Sequence, residues 1–498
     1  MLTNKVALGA FWIFFGRISS HIIALGSTLI VARLLSPEAF GLIALAMSMM
    51  AIISAMVDLP VAMALIQLKD PTKQDFDTAF TMSLIRGVLV AGVVAALAWP
   101  VTAFYNDDRL FPLMLAFAGI PLLSSLRNSN FEVKAREMKF NFEFSMTLVG
   151  KLAGTAATIY IAYAYKSYWA IAIGQLVMVG MQTLMTFVLV PVIPGLSLKS
   201  WKKLFNYSAW LGVGWFVNQI NWRSDMLMVG AHLGKTTLGH YSVGNQLTTE
   251  STQMIIQAVM RSLFSAFSSI QDEMERLRRG FLNAQKVAFA VVMPIAFGLA
   301  AMADWMIPLL FGSKWVAVVF VVQMTAPVAA FNTMTAPAKA LAMAMGQTRT
   351  IFIRDCISLA VRLPLMFYGL IEYGLVGVLV ARAVAAVFML VINMMMVRKF
   401  IDLKVTTQFL NISRQLFCGF VMLAAVWGMR QLVHFEGEFT EKFINMCLVI
   451  MGGAVAYVAA SLITWLMTGK PNGLESRVQD VLGKVSAKLH KKTEAPAA

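Results

Sequence analysis

Five basic side chains interrupt otherwise apolar segments of the sequence, and their chemistry suits the binding of an anion. They are Arg17, Lys151, Arg223, Arg362 and Arg382. A charge at bilayer depth costs about 2.5–3.5 kcal/mol, so such residues usually pair with one another, line a wet cavity or bind a ligand. Arginine forks and lysine point charges are common ligands of phosphate groups. The basic excess within these segments predicts a positively charged interior that favours an anionic cargo.

Few acidic residues accompany these cations. Those within or beside apolar segments are chiefly Asp58, Asp225, Glu250 and Asp355. Asp58 falls at a depth similar to that of Arg86 on the next predicted helix, which favours a structural ion pair. Asp355 directly follows Arg354 near a helix end, so we expect it to be solvated.

Polar side chains also form three stripes along helical faces. The stripes contain Arg17, Ser20, His21 and Thr28; Asn218, Asn221, Trp222 and Asp225; and Asn245, Thr248, Thr249 and Thr252. Such a stripe either lines a wet cavity or supplies hydrogen bonds between packed helices. The sequence alone leaves both interpretations open.

The elements that carry these residues are predicted to be membrane-spanning helices. The 498-residue chain is 59% hydrophobic and 13% charged, whereas a soluble domain has about 25% charged residues. A span needs about 20 mostly apolar residues, and breaks at charged or Gly- and Pro-rich stretches separate fourteen candidates. Their predicted extents are 8–32, 40–66, 79–101, 110–130, 144–164, 168–190, 206–231, 238–268, 281–303, 315–345, 351–371, 374–398, 411–433 and 442–468.

The net charge of the chain is +16, which on a soluble protein would suggest nucleic acid as a partner. In this chain, however, the basic residues are concentrated in alternate loops between the predicted helices. The positive-inside rule therefore places both termini in the cytoplasm, and no nucleic-acid partner is expected. The sparsely charged side contains Arg33, Arg109, Lys166, Lys235, Lys314, Arg430 and Lys442.

An internal repeat predicts two lobes in the same orientation. An offset of 198 residues aligns Val31 with Val229, Leu35 with Leu233, and Gly41 with Gly239. An offset of six helices corresponds to a parallel repeat about an axis normal to the membrane. The predicted fold is an all-α polytopic membrane protein with an N-lobe over 1–195, a C-lobe over 196–400, two extra helices over 401–468 and a basic cytoplasmic tail over 469–498.

Enzymatic chemistry is not expected from this sequence. It has no Gly-rich phosphate loop, no Ser/His/Asp arrangement and no metal-ligand spacing, so no cofactor or metal is predicted. Its polar stretches are too short for a folded extramembrane domain of about 50 residues or more. A membrane glycosyltransferase or polymerase would need an acidic pair on an outward loop. The one noticeable acidic loop, Asn106–Asp108, is predicted to be a solvated turn.

Several motifs resemble a known family. Ala32–Gly41, followed by Ile66-Gln67, resembles the opening of the polysaccharide transporters of the multidrug/oligosaccharidyl-lipid/polysaccharide exporter superfamily. Ser269–Arg278 and Ile307–Trp315 are similar to the colanic-acid-exporter branch, and the similarity extends to about residue 400. The resemblance implies a flippase of the bacterial inner membrane. It would move an undecaprenyl-diphosphate-linked oligosaccharide to the periplasmic leaflet by alternating access of two lobes.

With that cargo, the predicted site residues take distinct roles. The diphosphate would be held by the cations Arg17, Lys151, Arg362 and Arg382. Sugar groups would be bound by Asn218, Asn221 and Asn245, and Arg223 is a further predicted substrate-binding residue. A proton or sodium ion would couple through Asp225 or Glu250. Anionic membrane lipids and a polysaccharide polymerase or co-polymerase are the other expected partners. Alternatives are a cation-coupled drug antiporter, which would need an acidic, aromatic cavity, and a non-catalytic assembly scaffold.

Overall fold

The computed structural model describes residues 2–57, 65, 71–137 and 139–469, and this part of the chain contains helices and no strand. The helices are α1 Leu2–Leu34, α2 Pro37–Val57, α3 Lys73–Tyr105, α4 Leu110–Ser125, α5 Glu132–Arg136, α6 Phe140–Tyr165, α7 Trp169–Leu189, α8 Trp201–His232, α9 Gly234–Ser268, α10 Met274–Phe311, α11 Ala317–Thr333, α12 Ala336–Ala344, α13 Thr348–Ile401, α14 Val405–Leu432 and α15 Phe439–Met467. The predicted partner Asp58, the dipeptide Ile66-Gln67 and the basic tail beyond residue 469 lie outside the described residues.

The all-α membrane fold predicted from composition is confirmed. Ten helical segments in the described part of the chain are long and apolar enough to cross a membrane. One of them is α13, whose 54 residues are long enough to cross more than once. The protein is a multi-pass membrane protein, and the number of fourteen crossings stays a prediction.

The longest helix, α13, is interrupted at Gly374. This residue has φ 58° and ψ −135°, a backbone conformation that glycine adopts without a steric penalty. On either side of it, Gly369 and Gly377 approach so closely that a Cβ added to Gly377 would lie 1.8 Å from the carbonyl oxygen of Gly369. The helix therefore forms a tight hairpin, and its two arms correspond to the helices predicted over 351–371 and 374–398.

The single helix predicted over 315–345 is instead divided into α11 and α12. The break falls at Met334 and Thr335, and Pro337 lies in the first turn of α12. Proline has no backbone N–H and restricts the residue before it, so a helix readily begins at this position but does not readily continue through it. The sequence pattern was apolar on both sides of this proline, which is why it predicted one span.

The chain forms two compact units, and the first contains Met1–Val243, Leu310–Ala317 and Asp355–Ala381. In this unit α6 packs along α7 and α1, and α2 packs along α8. Part of its core is formed by buried side chains from three helices and the turns that join them. These are Val31, Leu35, Ala162 and Ala170.

The second unit contains Gly244–Leu309, Val318–Arg354 and Arg382–Ala498. In it α14 packs along α15, and two apolar clusters are buried. One includes Phe267, Phe281, Leu341 and Val397; the other includes Met302, Trp305, Val426 and Val449. The lobe boundaries at 195 and 400, predicted from the repeat, stay a prediction.

Candidate functional site

A buried ion pair joins α8 to α13 in the first unit. Arg362 Nη2 lies 3.1 Å from Asp225 Oδ2, and the two side chains are 15% and 2% exposed. Arg362 Nη1 also donates to the carbonyl oxygen of Asn221 at 2.5 Å. Charges can be buried at tolerable cost when they are paired and hydrogen-bonded in this way. The sequence assigned Arg362 to cargo binding and Asp225 to ion coupling, and the structure joins these two residues in one ion pair.

Two further side chains fix the position of this ion pair. Tyr241 on α9 is completely buried, and its hydroxyl donates to Asp225 Oδ2 at 2.5 Å. Asn221 Nδ2 donates to the carbonyl oxygen of Asp355 at 3.0 Å and so attaches α8 to the first arm of α13. The Asp225 carboxylate therefore accepts from both a phenol and a guanidinium, which holds it in one orientation.

Sequence reasoning missed Tyr241, although a signal for it was present. Tyr241, Asn245, Thr248 and Thr252 are spaced by four, three and four residues, so Tyr241 heads the third polar stripe. The solvated position predicted for Asp355 is wrong, because this residue is only 9% exposed where α13 packs on α8.

The remaining predicted site residues are divided between the units. Arg17, Lys151, Asn218 and Arg223 are half-buried in the first, and Asn245, Glu250 and Arg382 are half-buried in the second. Glu250 Oε1 accepts a hydrogen bond from Gln246 at 2.9 Å. The structure thus brings Asn221, Asp225 and Arg362 into one network, and the roles of the other predicted residues stay predictions.

The polar stripe on α9 contributes in part to helix packing. Thr248 and Thr252 are each 2% exposed, and the Thr248 hydroxyl lies 3.0 Å from that of Thr325 on α11. These contacts fit the interpretation of hydrogen bonding between helices. Asn245 Oδ1 is buried and has no hydrogen-bond partner in the part of the chain that the structure describes.

A second polar network, the turn cluster, consists of Glu38, Asp107, Arg109 and Lys235. Asp107 accepts from Arg109 Nε at 2.9 Å and Nη2 at 2.8 Å, and it lies 3.3 Å from Lys235 Nζ. Arg109 Nη2 also reaches Glu38 at 2.6 Å. The cluster links the starts of α2 and α9 to the turn between α3 and α4. The prediction of a solvated turn is wrong for Asp107, because its side chain is only 7% exposed. The positive charges of Arg109 and Lys235 compensate the free-energy cost of burying this carboxylate.

Beside the turn cluster, α2 and α9 cross with their backbones in contact. A Cβ added to Gly41 would lie 1.8 Å from the carbonyl oxygen of Lys235, and one added to Gly239 would lie 1.8 Å from that of Pro37. Gly41 and Gly239 are 198 residues apart, as are Pro37 and Lys235. The 198-residue offset of the internal repeat therefore relates the contact of Gly41 with Lys235 to the contact of Gly239 with Pro37. In this sense the crossing is reciprocal.

Two of the motifs that carry the family resemblance contact each other. Trp315, which is fully buried, donates from its indole N–H to the carbonyl oxygen of Ala32 at 2.8 Å. Its ring centroid lies 5.1 Å from that of Phe40 in an edge-to-face arrangement. Ala32–Gly41 and the Leu310–Trp315 part of the second motif, distant in sequence, thus pack together in the first unit.

The turn cluster should be insensitive to pH in the neutral range. The Arg109 guanidinium holds the pKa of Asp107 at about 2, below its ordinary 3.8, despite burial, and Lys235 adds to this effect. A depressed folded-state pKa gives stability that is complete above the unfolded pKa and is lost as pH falls through the folded one. We expect Asp107→Asn to lower stability by about 1 kcal/mol, equally from pH 5 to 8, with the difference shrinking only below about pH 4. Thermal unfolding of both proteins across this range measures it, and a difference that changes near pH 7 would contradict it.

Comparison with known proteins then places the chain in a family. The sequence profile of a family described as "Polysaccharide biosynthesis protein" matches residues 30–320, more than half of the chain. The chain belongs to this family. The match confirms the resemblance that the sequence motifs suggested.

Curated relatives of this family member cover most of its length. It is 25% identical over 385 residues to the lipopolysaccharide biosynthesis protein WzxC of Escherichia coli K12, which covers 76% of this chain and 77% of WzxC. It is 21% identical over 408 residues to the teichuronic acid biosynthesis protein TuaB of Bacillus subtilis 168, covering 81% and 84% of the two chains. A probable low-salt glycan biosynthesis flippase, Agl15 of Haloferax volcanii, is 22% identical over 273 residues, covering 54% of this chain and 55% of Agl15.

Solved structures show the same fold at low sequence identity. The lipid II flippase MurJ in an inward closed conformation superposes with a TM-score of 0.73 and 13% identity, covering 93% of this chain and 99% of MurJ. An inward-facing multidrug transporter of the MATE family and MOP superfamily has a TM-score of 0.57 and 13% identity, covering 78% and 98% of the two chains. The likeness establishes the fold of this family member.

Proposed function

We propose that this protein is a flippase that moves undecaprenyl-diphosphate-linked oligosaccharide repeat units across the bacterial inner membrane for polysaccharide synthesis. The observation that carries the proposal is the combination of a polysaccharide biosynthesis family with the fold of the lipid II flippase MurJ. The relative Agl15 is itself named a probable glycan biosynthesis flippase. The basic excess within the apolar segments agrees with an anionic headgroup as cargo.

The ion pair suggests how binding and coupling are connected. Arg362 is the buried cation whose partner is Asp225, so a cargo phosphate and this carboxylate compete for the same guanidinium. Protonation of the carboxylate, or its capture of another cation, would release the guanidinium for phosphate. Arg17, Lys151 and Arg382 are proposed as the other phosphate contacts.

The remaining predicted roles complete the proposed site. Asn218, Asn221 and Asn245 are proposed to bind sugar groups, Arg223 is proposed as a further cargo contact, and Glu250 is a second candidate for ion coupling. A polysaccharide polymerase or co-polymerase is the proposed protein partner, acting on the repeat unit after it has crossed.

The turn cluster is proposed to hold the outer side of the first unit closed. With both termini in the cytoplasm, the predicted topology puts Arg109 and Lys235 on the periplasmic side. An outward-open state would then require separation of Lys235 from Asp107 and of Gly41 from Gly239.

A deletion strain provides the direct test of the proposed function. Without the protein, one lipid-linked repeat unit should accumulate on the cytoplasmic leaflet, and its sugar composition would name the cargo. The wild-type gene should restore transfer to the periplasmic leaflet. Normal transfer in the deletion strain, with no compensating transporter, would refute the proposal.

The cargo contacts can be tested by single substitutions. We expect Arg17→Gln or Lys151→Gln to lower polymer export by about ten- to a hundredfold, since loss of a charge-assisted hydrogen bond removes about 1.5–3 kcal/mol of binding. Export should be measured at equal amounts of membrane-inserted protein. Lys166→Gln is the matched control, because Lys166 is an exposed lysine at the C-terminal cap of α6. Export at the wild-type level by a stable Arg17→Gln variant would exclude Arg17.

A further inference from the structure

The segment that joins α7 to α8, residues 190–200, is here named the linker loop, and it exposes large apolar side chains. Ile193 is 83% exposed and Leu196 is 75% exposed, while Val192 and Leu198 are close to half exposed. Trp201, at the start of α8, is 45% exposed. A loop in water would not normally present so many adjacent apolar groups.

The backbone of the linker loop is held by side chains of the first unit. Gly195 N donates to Asp77 Oδ1 at 2.7 Å, and Ser197 N donates to Thr81 Oγ1 at 2.9 Å, both acceptors being on α3. Asn128 Nδ2 donates to two loop carbonyl oxygens at 2.9 and 2.8 Å. These bonds satisfy backbone groups that a non-helical segment leaves unpaired. The exposed apolar side chains are therefore presented by a defined backbone.

The length of α7 indicates the depth of the loop in the membrane. This helix has 21 residues, and at about 1.5 Å per residue it is about 31 Å long, close to the thickness of the hydrocarbon layer. The linker loop therefore begins where the hydrocarbon ends and the lipid headgroups start. Lys199 and Lys202 are exposed at its far end, beside Trp201.

We propose that the linker loop anchors the protein in the headgroup region of an anionic lipid leaflet. Ile193, Leu196 and Trp201 would enter the boundary between headgroups and acyl chains, and Lys199 and Lys202 would bind lipid phosphates. Apolar and aromatic groups next to basic ones are the combination that interfacial segments use on such surfaces. The topology predicted from the basic loops makes this the cytoplasmic leaflet. The proposal does not depend on the cargo.

Depth-dependent quenching tests this anchor in the full-length protein. Ile193→Cys and, separately, Gln74→Cys would be introduced after Cys356, Cys418 and Cys447 are replaced by Ser. Each variant would be labelled with an environment-sensitive fluorophore in nanodiscs of phosphatidylcholine and phosphatidylglycerol. Gln74 is the control because it is an exposed polar residue in the first turn of α3. We expect headgroup-proximal spin-labelled lipid to quench the label at 193 about threefold more than that at 74, as insertion of about 5–10 Å requires.

The lysines and the competing occupants are tested in the same system. Quenching of the label at 193 should be stronger in nanodiscs that contain phosphatidylglycerol than in nanodiscs of phosphatidylcholine alone, since each lysine near an anionic surface favours binding by severalfold. Lys199→Gln with Lys202→Gln should abolish this difference. Iodide quenching at 193 as strong as at 74 would show a loop in water and overturn the proposal. A label at 193 shielded from both iodide and spin-labelled lipid would overturn it in favour of a protein partner.

Discussion

Replacing Arg362 with Gln should lower the stability of the protein by about 3–5 kcal/mol, because it removes the guanidinium that compensates the buried charge of the Asp225 carboxylate. That carboxylate is 2% exposed, so water cannot replace the guanidinium. Adding Asp225→Asn in the same chain should recover most of the loss, since it removes the negative charge that the guanidinium compensated. Tyr241→Phe, which deletes one hydrogen bond to the same oxygen, should cost about 1–3 kcal/mol. Thermal unfolding in nanodiscs measures all four proteins.

Polymer export by the double variant separates two roles of Arg362. If the guanidinium only compensates Asp225, the Arg362→Gln, Asp225→Asn protein should be stable and should export as much polymer as an Asp225→Asn single variant, which controls for the proposed coupling role of Asp225. Under the proposed function it should be stable and should export less polymer than the Asp225→Asn protein, because the cargo phosphate loses a ligand. Full export by a stable double variant would remove Arg362 from the cargo site and leave the flippase proposal itself intact.

Substituting Ala for Gly41 should destabilise the protein by at least about 3 kcal/mol or prevent its accumulation, as severe overpacking does. The added Cβ would lie 1.8 Å from the carbonyl oxygen of Lys235, and this neighbour is backbone that cannot rotate aside. Because the contact is reciprocal, Gly239→Ala should have a similar effect. Membrane-inserted yield and thermal unfolding are the measurements.

Gly92→Ala on α3 is the matched control for the helix crossing. No atom lies within 4 Å of a Cβ at this position, and alanine is favoured over glycine in a helix by up to about 1 kcal/mol. This variant should therefore be as stable as the wild type or slightly more stable. A Gly41→Ala protein that matched it would show that α2 and α9 do not cross as closely as described.

The sequence predicted the elements of this fold better than their contacts. Apolar segments and their breaks indicate helices because a membrane span must satisfy its backbone within itself. The partner of Asp225 is 137 residues away in Arg362, and nothing local in the sequence pairs them. The same holds for Asp107, whose burial depends on Lys235 arriving from a different helix.

The helical spacing of the polar residues predicted some of the contacts in the structure but not others. It grouped Asn221 with Asp225 correctly on one face, and the repeat aligned Gly41 with Gly239, which the structure places in one reciprocal crossing. The helical spacing does not predict which neighbouring helix a polar face contacts. The threonines of the third stripe pack against α11 at Thr325, an outcome that the sequence left as one of two alternatives.

The hairpin at Gly374 bears on how the protein is made. Only one residue separates the two arms of α13, and the arms meet backbone to backbone at Gly369 and Gly377. No linker is present between the arms that would allow the second arm to remain outside the membrane while the first arm enters the lipid. We therefore expect both arms to enter the membrane together as a pair, so that a substitution at Gly374 would impair insertion of the protein as well as transport.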